Sequence, residues 1–262
     1  KDDVSLYADA LGFLSKCLFK YHGRKTIILI DEYDVPLENA YFRGFYDQMI
    51  DFIRSLFESV LKTNDNLEFA VVTGCLRVGR ESIFTGLNNL EVNSVMNDNF
   101  AEYFGFTQAE VGKILDFYAM DEKYEEVKRW YDGYCFGQTQ VYNPWSVTNY
   151  VKTAVTNLVA YPRPYWSNTS SNSIIRELVE RADEQARMEI ERLISGGSVE
   201  KPVFEEITYE DIYRSQDYLW NFLFFTGYLR LVKRAMTGNV VYATFAIPNE
   251  EVRYIYQNTI RE

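Results

Sequence analysis

Residues 25–36, KTIILIDEYDVP, constrain the fold more tightly than any other stretch of this chain. Ile27, Ile28, Leu29 and Ile30 form an unbroken aliphatic run, too short for a helix core, and predict a parallel strand buried on both faces. Two carboxylates, Asp31 and Glu32, follow it directly. In an open α/β sheet ligands gather beyond the carboxyl ends of the strands, so the pair stands where a nucleotide site is expected.

An aliphatic strand closed by Asp-Glu is the pattern of a Walker B segment. Phosphoryl transfer depends on positioning and charge stabilisation around Mg²⁺. An Asp at the strand tip holds the ion's water shell, and a neighbouring Glu orients or deprotonates the attacking water. An acidic pair that merely ends a strand in a turn is the other reading of these two residues, and the remainder of the chain has to decide between them.

Before this strand, Tyr7, Ala10, Leu11, Leu14, Leu18 and Tyr21 recur at helical spacing, and Gly23 stops the helix. After it, a helix from about residue 44 to 61 carries the stripe Phe45, Met49, Phe52, Ile53, Leu56 and Val60. A second aliphatic strand spans residues 69–73. Strand, helix, strand in this order predicts a βαβ unit with a right-handed crossover. Thr73 then falls at a strand tip beside the acidic pair, where a polar side chain senses a γ-phosphate or the attacking water. Arg77 and Arg80 follow, and an arginine near a transferring phosphoryl group is worth about 10³ to 10⁵ in rate. For Arg77 the reading is a phosphate or structural role at the sheet edge; for Arg80 a surface ion pair with Glu81 stands equally open.

The same stretch holds a decoy. Gly74, Gly79 and Arg80 match the spacing of G-x-x-x-x-G-K after a strand, but Arg replaces the lysine and Glu81 occupies the position of the Mg²⁺-binding hydroxyl, where it would repel phosphates. Gly23-Arg24-Lys25-Thr26 precedes its strand instead of following one. No intact P-loop is found.

From Phe106 the chain turns to helices and aromatic loops. Thr107 with Glu110 forms a capping box, Tyr124 to Trp130 reads as a helix, YDGYCFG as a loop, and Asn143-Pro144 as a helix start. The loop YWSNTSSN at 165–172 is rich in small polar residues, suited to binding or to cap-and-turn duty. Ile175, Leu178, Val179, Ala182, Ala186, Ile190 and Leu193 mark a long amphipathic helix. Thr208 opens another, continued by an apolar segment that Gly227 ends. Alternation on either side of Thr237-Gly238-Asn239 predicts a β-hairpin, and Pro248-Asn249 opens a last helix.

Composition excludes several classes. The formal net charge is −11 and none of the segments carries a basic face, so direct nucleic-acid binding is not expected; the segment DYLWNFLFFT contains no Lys or Arg and reads as a packing module. Cys17, Cys75 and Cys135 are scattered, with neither a disulfide framework nor zinc spacing, which suits a reducing cytoplasm. His22 is the single histidine, so any histidine-dependent triad or metal site has one candidate, and beside Gly23 it reads as a solvent-exposed capping residue. No apolar run approaches the roughly 20 residues that span a bilayer, and no membrane partner is expected. Lys1 in place of an initiator Met, and a last helix interrupted at Glu262, suggest a piece of a longer protein.

Taken as an ordered set, IDEYDVP at 30–36, TGCLRVGRESIFTGLNNL at 73–90, YFGFT at 103–107, WYDGYCFG at 130–137, YNPWSV at 142–147 and YWSNTSSN at 165–172 resemble the AAA-ATPase-like family of bacterial P-loop proteins, which often carry a C-terminal nuclease-like domain of the PD-(D/E)XK type. The resemblance implies a partial P-loop NTPase α/β core over 1–102, a helical lid over 103–197 and a winged-helix-like module over 198–262. It also implies Asp31 as the Walker B metal residue, Glu32 as the catalytic carboxylate and Thr73 on the sensor strand. ATP and Mg²⁺ are the implied ligands. The phosphate loop and first strands are expected upstream, and an attached nuclease-like effector downstream. The role of Asp34 is left open, a cap of the turn before Pro36 being one choice; oligomerisation through an exposed sheet edge is another open matter.

Two rival functions compete with this ATPase. A non-catalytic scaffold of the same shape has no need of two adjacent charges at a strand tip. A nuclease needs a D/E-x-K on the strand after its acidic residue, and residues 69–73 supply no such lysine.

Overall fold

In the computed structural model the described residues are 4–62, 64–77, 83–84, 87, 90–157, 159–166, 175–176 and 182–261. The chain opens with α1 (Val4–Ala8) and α2 (Ala10–His22), separated at Asp9 where the sequence predicts one continuous helix. Gly23 ends α2 at φ 65°, its N–H donating to the Phe19 carbonyl, which is the left-handed cap that glycine adopts without a Cβ clash. Next come β1 (Thr26–Ile30), α3 (Val35–Arg43), α4 (Tyr46–Phe57), a π-turn at Glu58–Lys62 and β2 (Leu67–Val72). The strands pair in parallel, with Ile27 opposite Phe69 and Ile30 opposite Val72.

These elements follow from local chemistry. Pro36 sits in the first turn of α3, where its missing N–H has no helical partner to lose, and Gly44 closes that helix at φ 78°. Tyr46, Ile50, Ile53 and Phe57 place one buried stripe along α4. The strand β1 departs from the expectation of burial on both faces. Ile28 and Ile30 are half-buried, whereas Ile27 and Leu29 are 64% and 73% exposed and Phe69 on β2 is 61% exposed. Among the described residues two strands pair here, and one face of the pair is covered.

The rest of the chain contains α5 (Gln108–Phe117), α6 (Tyr124–Tyr131), the hairpin β3 (Tyr134–Phe136) and β4 (Thr139–Val141), α7 (Pro144–Thr156), α8 (Glu184–Ile194), β5 (Val199–Pro202), α9 (Tyr209–Arg214), α10 (Gln216–Phe225), β6 (Arg230–Thr237), β7 (Val240–Ala246) and α11 (Glu250–Arg261). The reciprocal Thr107–Glu110 box starts α5, and Asn143 caps α7. The predicted hairpin is present as β6 and β7, and β5 adds to it in the antiparallel order β5-β7-β6. Tyr134–Phe136, within the YDGYCFG segment read as a loop, instead form a short strand paired antiparallel with Thr139–Val141.

The chain divides into two compact units, Lys1–Glu91 with Phe204–Phe222, and Val92–Val203 with Leu223–Glu262. The first is a mixed α/β unit built on the small parallel sheet; Leu37, Ala40, Ile53, Phe57, Val60 and Ile83 are buried there. In the second, Val111, Leu115, Val127, Tyr131, Tyr150 and Val151 form a core between α5, α6 and α7. Among the described residues no helix is long and apolar enough to cross a membrane.

Candidate functional site

The pairing of Ile30 with Val72 carries Asp31 and Thr73 out of the sheet side by side. Thr73 is the link between the two strand tips. Its N–H donates to the Ile30 carbonyl at 2.8 Å, and its carbonyl accepts the Tyr33 N–H at 2.9 Å. Its hydroxyl donates to Asp31 Oδ1 and accepts the Glu32 N–H at 3.1 Å. One threonine thereby fixes the carboxylate of Asp31 and the backbone of Glu32 in a single network.

Glu32 holds φ 51°, a left-handed conformation that costs a residue with a Cβ about 1–2 kcal/mol. Such strain persists only where surrounding structure enforces it, and it concentrates at functional sites. The turn throws the Asp31 and Glu32 side chains into solvent at the carboxyl end of the parallel pair. Asp31, Glu32 and Thr73 are thus brought together as the sequence predicts.

Asp34 behaves differently. It occupies the N-cap position of α3 but makes no side-chain cap there. Its buried carboxylate instead accepts the N–H groups of Cys75 at 3.0 Å and Leu76 at 2.9 Å through Oδ2. Burial pushes its pKa above the ordinary carboxylate range, against the lowering effect of those hydrogen bonds. Beside it, the Tyr33 hydroxyl donates to the Leu76 carbonyl at 2.6 Å, and the Tyr33 ring packs edge-on to Phe84 at 5.2 Å. The loop leaving β2 is therefore clamped beneath the acidic turn. Gly74 makes this approach feasible, because a Cβ there would lie 2.6 Å from the Tyr33 ring and 2.7 Å from Asp34 Oδ1.

Arg77 follows on the same loop. Its guanidinium pairs with Glu206 at 3.2 Å, with both side chains partly exposed, and its carbonyl accepts the Ile207 N–H at 3.3 Å. Arg80 lies outside the described residues, as do Gly79 and Glu81 of the P-loop decoy. Sequence reasoning did not find the functions of Asp34 and Gly74. Both act through contacts with residues about 40 positions away, and no local pattern encodes them.

An aliphatic parallel strand thus carries a solvent-facing acidic pair at its tip, bridged by a threonine of the adjacent strand. Residues 3–84 match the AAA-ATPase-like family, described as a predicted AAA-ATPase. The matched segment contains the whole of the Asp31–Thr73 network. The chain is also similar to an uncharacterized protein in the vnfD 5′ region of Azotobacter chroococcum mcd 1, at 27% identity over 160 residues, or 60% of this chain. It spans only 29% of that relative's length. No solved structure matches the chain.

The AAA-ATPase-like match suggests a nucleotide ligand, and the side chains fit the way Mg²⁺ accompanies one. Among the described residues no three His, Cys, Asp or Glu side chains converge into a protein cage for a metal. Mg²⁺ at phosphoryl-transfer sites uses one or two carboxylates with waters and substrate phosphates, which Asp31 and Glu32 are placed to supply.

Proposed function

We propose that the unit containing β1 and β2 is the Walker B and sensor part of a P-loop NTPase core that binds and hydrolyses ATP with Mg²⁺. The observation that carries this reading is the Thr73 hydroxyl bridging Asp31 Oδ1 and the Glu32 N–H across adjacent parallel strand tips. Mg²⁺, when bound, neutralises charge on the phosphates. Asp31 holds its water shell, Glu32 orients the attacking water, and Thr73 keeps both in register. Exposed ion pairs are worth little, so Arg77 can exchange Glu206 for a phosphate oxygen, and Arg80, next in sequence among the arginines, is a second candidate for that role. The phosphate cradle is assigned to sequence preceding this chain. Residues 103–197 act as a helical lid and 198–262 as a winged-helix-like module that pass the nucleotide state to an attached effector.

The test is a calorimetric titration of Mg²⁺-ATP into the full-length protein, with turnover measured alongside. Glu32→Gln is expected to keep binding and to lose turnover at least a hundredfold, whereas Asp31→Asn weakens the Mg²⁺ dependence of binding. Unchanged turnover in Glu32→Gln sinks the catalytic assignment. Absence of nucleotide binding by the full-length protein turns the reading to a scaffold, as does a lid whose mobility ignores nucleotide.

A further inference from the structure

The sequence segments YDGYCFG, YNPWSV and the Tyr165-Trp166 pair have no use in the ATPase reading, yet all three meet around one cavity within the second unit. That cavity has a volume of about 260 Å³. Its walls include Phe104, Phe136 of the β3–β4 hairpin, Asn143 at the start of α7, Trp166, and Phe225 at the end of α10.

Its frame is held by hydrogen bonds. Asn143 Oδ1 accepts the N–H groups of Trp145 at 3.0 Å and Ser146 at 3.3 Å. The Ser146 hydroxyl lies 2.9 and 2.8 Å from the two carboxylate oxygens of buried Glu251, which also accepts the Trp166 N–H at 2.9 Å. The Trp166 ring packs on Tyr228 with centroids 4.8 Å apart. Gly227, at φ 88°, passes so close that a Cβ would touch the Tyr134 and Trp166 rings at 3.6 and 3.7 Å. A site whose walls are locked in this way is formed before any ligand arrives.

Arg230, the first residue of β6, lines the cavity. Its Nε–H is buried and has no hydrogen-bond partner among the described residues. The charge of Asp132 acts on Arg230 through space, but the Asp132 carboxyl accepts the N–H of Gly133 at 2.6 Å. Arg230 brings a cation to the cavity wall, and the two oxygens of a carboxylate match the fork of a guanidinium. The other walls are chiefly aromatic and aliphatic, so the remainder of the ligand is apolar. A dry cavity of about 150 Å³ holds benzene, so the present one has room for a substituted ring bearing its carboxylate.

We infer that the second unit carries a preformed site for a small carboxylate with an aromatic or branched apolar body, its charge docked on Arg230. Benzoate is the probe, titrated into the whole chain by calorimetry, with benzyl alcohol as the ring without the charge and acetate as the charge without the ring. Saturable benzoate binding is expected, with both controls at least tenfold weaker. Arg230→Gln should weaken benzoate at least tenfold while leaving benzyl alcohol unchanged, and Arg230→Lys should recover part of the loss. Val95→Phe, which fills the cavity from another wall with Arg230 intact, should exclude benzoate, and it decides the matter if Arg230→Gln fails to fold. The inference is overturned if benzoate does not saturate at millimolar concentration, or if Val95→Phe or a folded Arg230→Gln binds it as the parent chain does.

Discussion

Leu76 donates its backbone N–H to the buried carboxylate of Asp34 at 2.9 Å, joining the loop after β2 to the turn after β1 across 42 positions of sequence. Asp34 does for the loop what Thr73 does for the strand tips. Truncation to Ala strands a buried N–H without an acceptor, so Asp34→Ala should cost about 1–3 kcal/mol in urea unfolding. Asp34→Asn keeps an acceptor oxygen and removes the charge. Because burial raises the Asp34 pKa, the folded state holds its proton to higher pH than the unfolded chain does. The stability linked to Asp34 is therefore full below the ordinary carboxylate range and declines as pH rises through the raised value. Asp34→Asn should flatten that decline and be as stable as the parent at neutral pH or more so.

Two glycine substitutions should move stability in opposite directions. Gly74→Ala drives a methyl into the Tyr33 ring and Asp34 Oδ1, an overpacking expected to cost about 1–3 kcal/mol. Gly112 lies in α5 with nothing within 4 Å of where its Cβ would stand. There, Gly112→Ala gains helix propensity and should stabilise by about 0.5–1 kcal/mol. Paired denaturant midpoints read both, and a loss at Gly112 would contradict the open space seen around it.

Glu32 presents a trade between stability and chemistry. Its φ of 51° is easy for glycine and strained for glutamate, so Glu32→Gly should raise unfolding stability by about 1 kcal/mol. On the proposed ATPase reading, the same change in the full-length protein should abolish ATP turnover, since it removes the carboxylate assigned to orient water. A variant that is no more stable would mean the turn is held elsewhere and that Glu32 itself is not under strain.

The parts of this fold that were legible in the sequence are those written in short-range chemistry. Thr107 with Glu110, Asn143 with Pro144, and Thr237-Gly238-Asn239 each specify a cap or turn through their own side chains and backbone, and each is present. The adjacency of Asp31 and Thr73 was legible too, because two aliphatic runs that pair in parallel must bring their ends together. The helix α3 was missed, since nine residues opened by Val35-Pro36 carry too little periodicity to stand out. The strands β3 and β4, three residues each, are too short to show alternation. Whether a strand is covered on one face or two depends on distant neighbours, so the exposure of Ile27 and Leu29 could not be read from their own composition. The reach of Asp34 to Leu76 is of the same tertiary kind.

Glu251 should give the second unit a pH-dependent stability. Burial pushes its carboxyl up to about 7, although the Trp166 N–H and the Ser146 hydroxyl both favour the ionised form. An acid whose folded pKa exceeds its unfolded one stabilises most when protonated. The contribution is full below about pH 4.5 and is lost as pH rises through about 7. Glu251→Gln retains one acceptor oxygen, removes the titration, and should unfold with a nearly constant midpoint over this window. Relative to the parent, the variant should therefore gain on the order of 2 kcal/mol between pH 5 and 8. Urea unfolding followed at both pH values measures the difference directly, and parallel pH profiles for parent and variant would show that Glu251 titrates as an ordinary carboxylate.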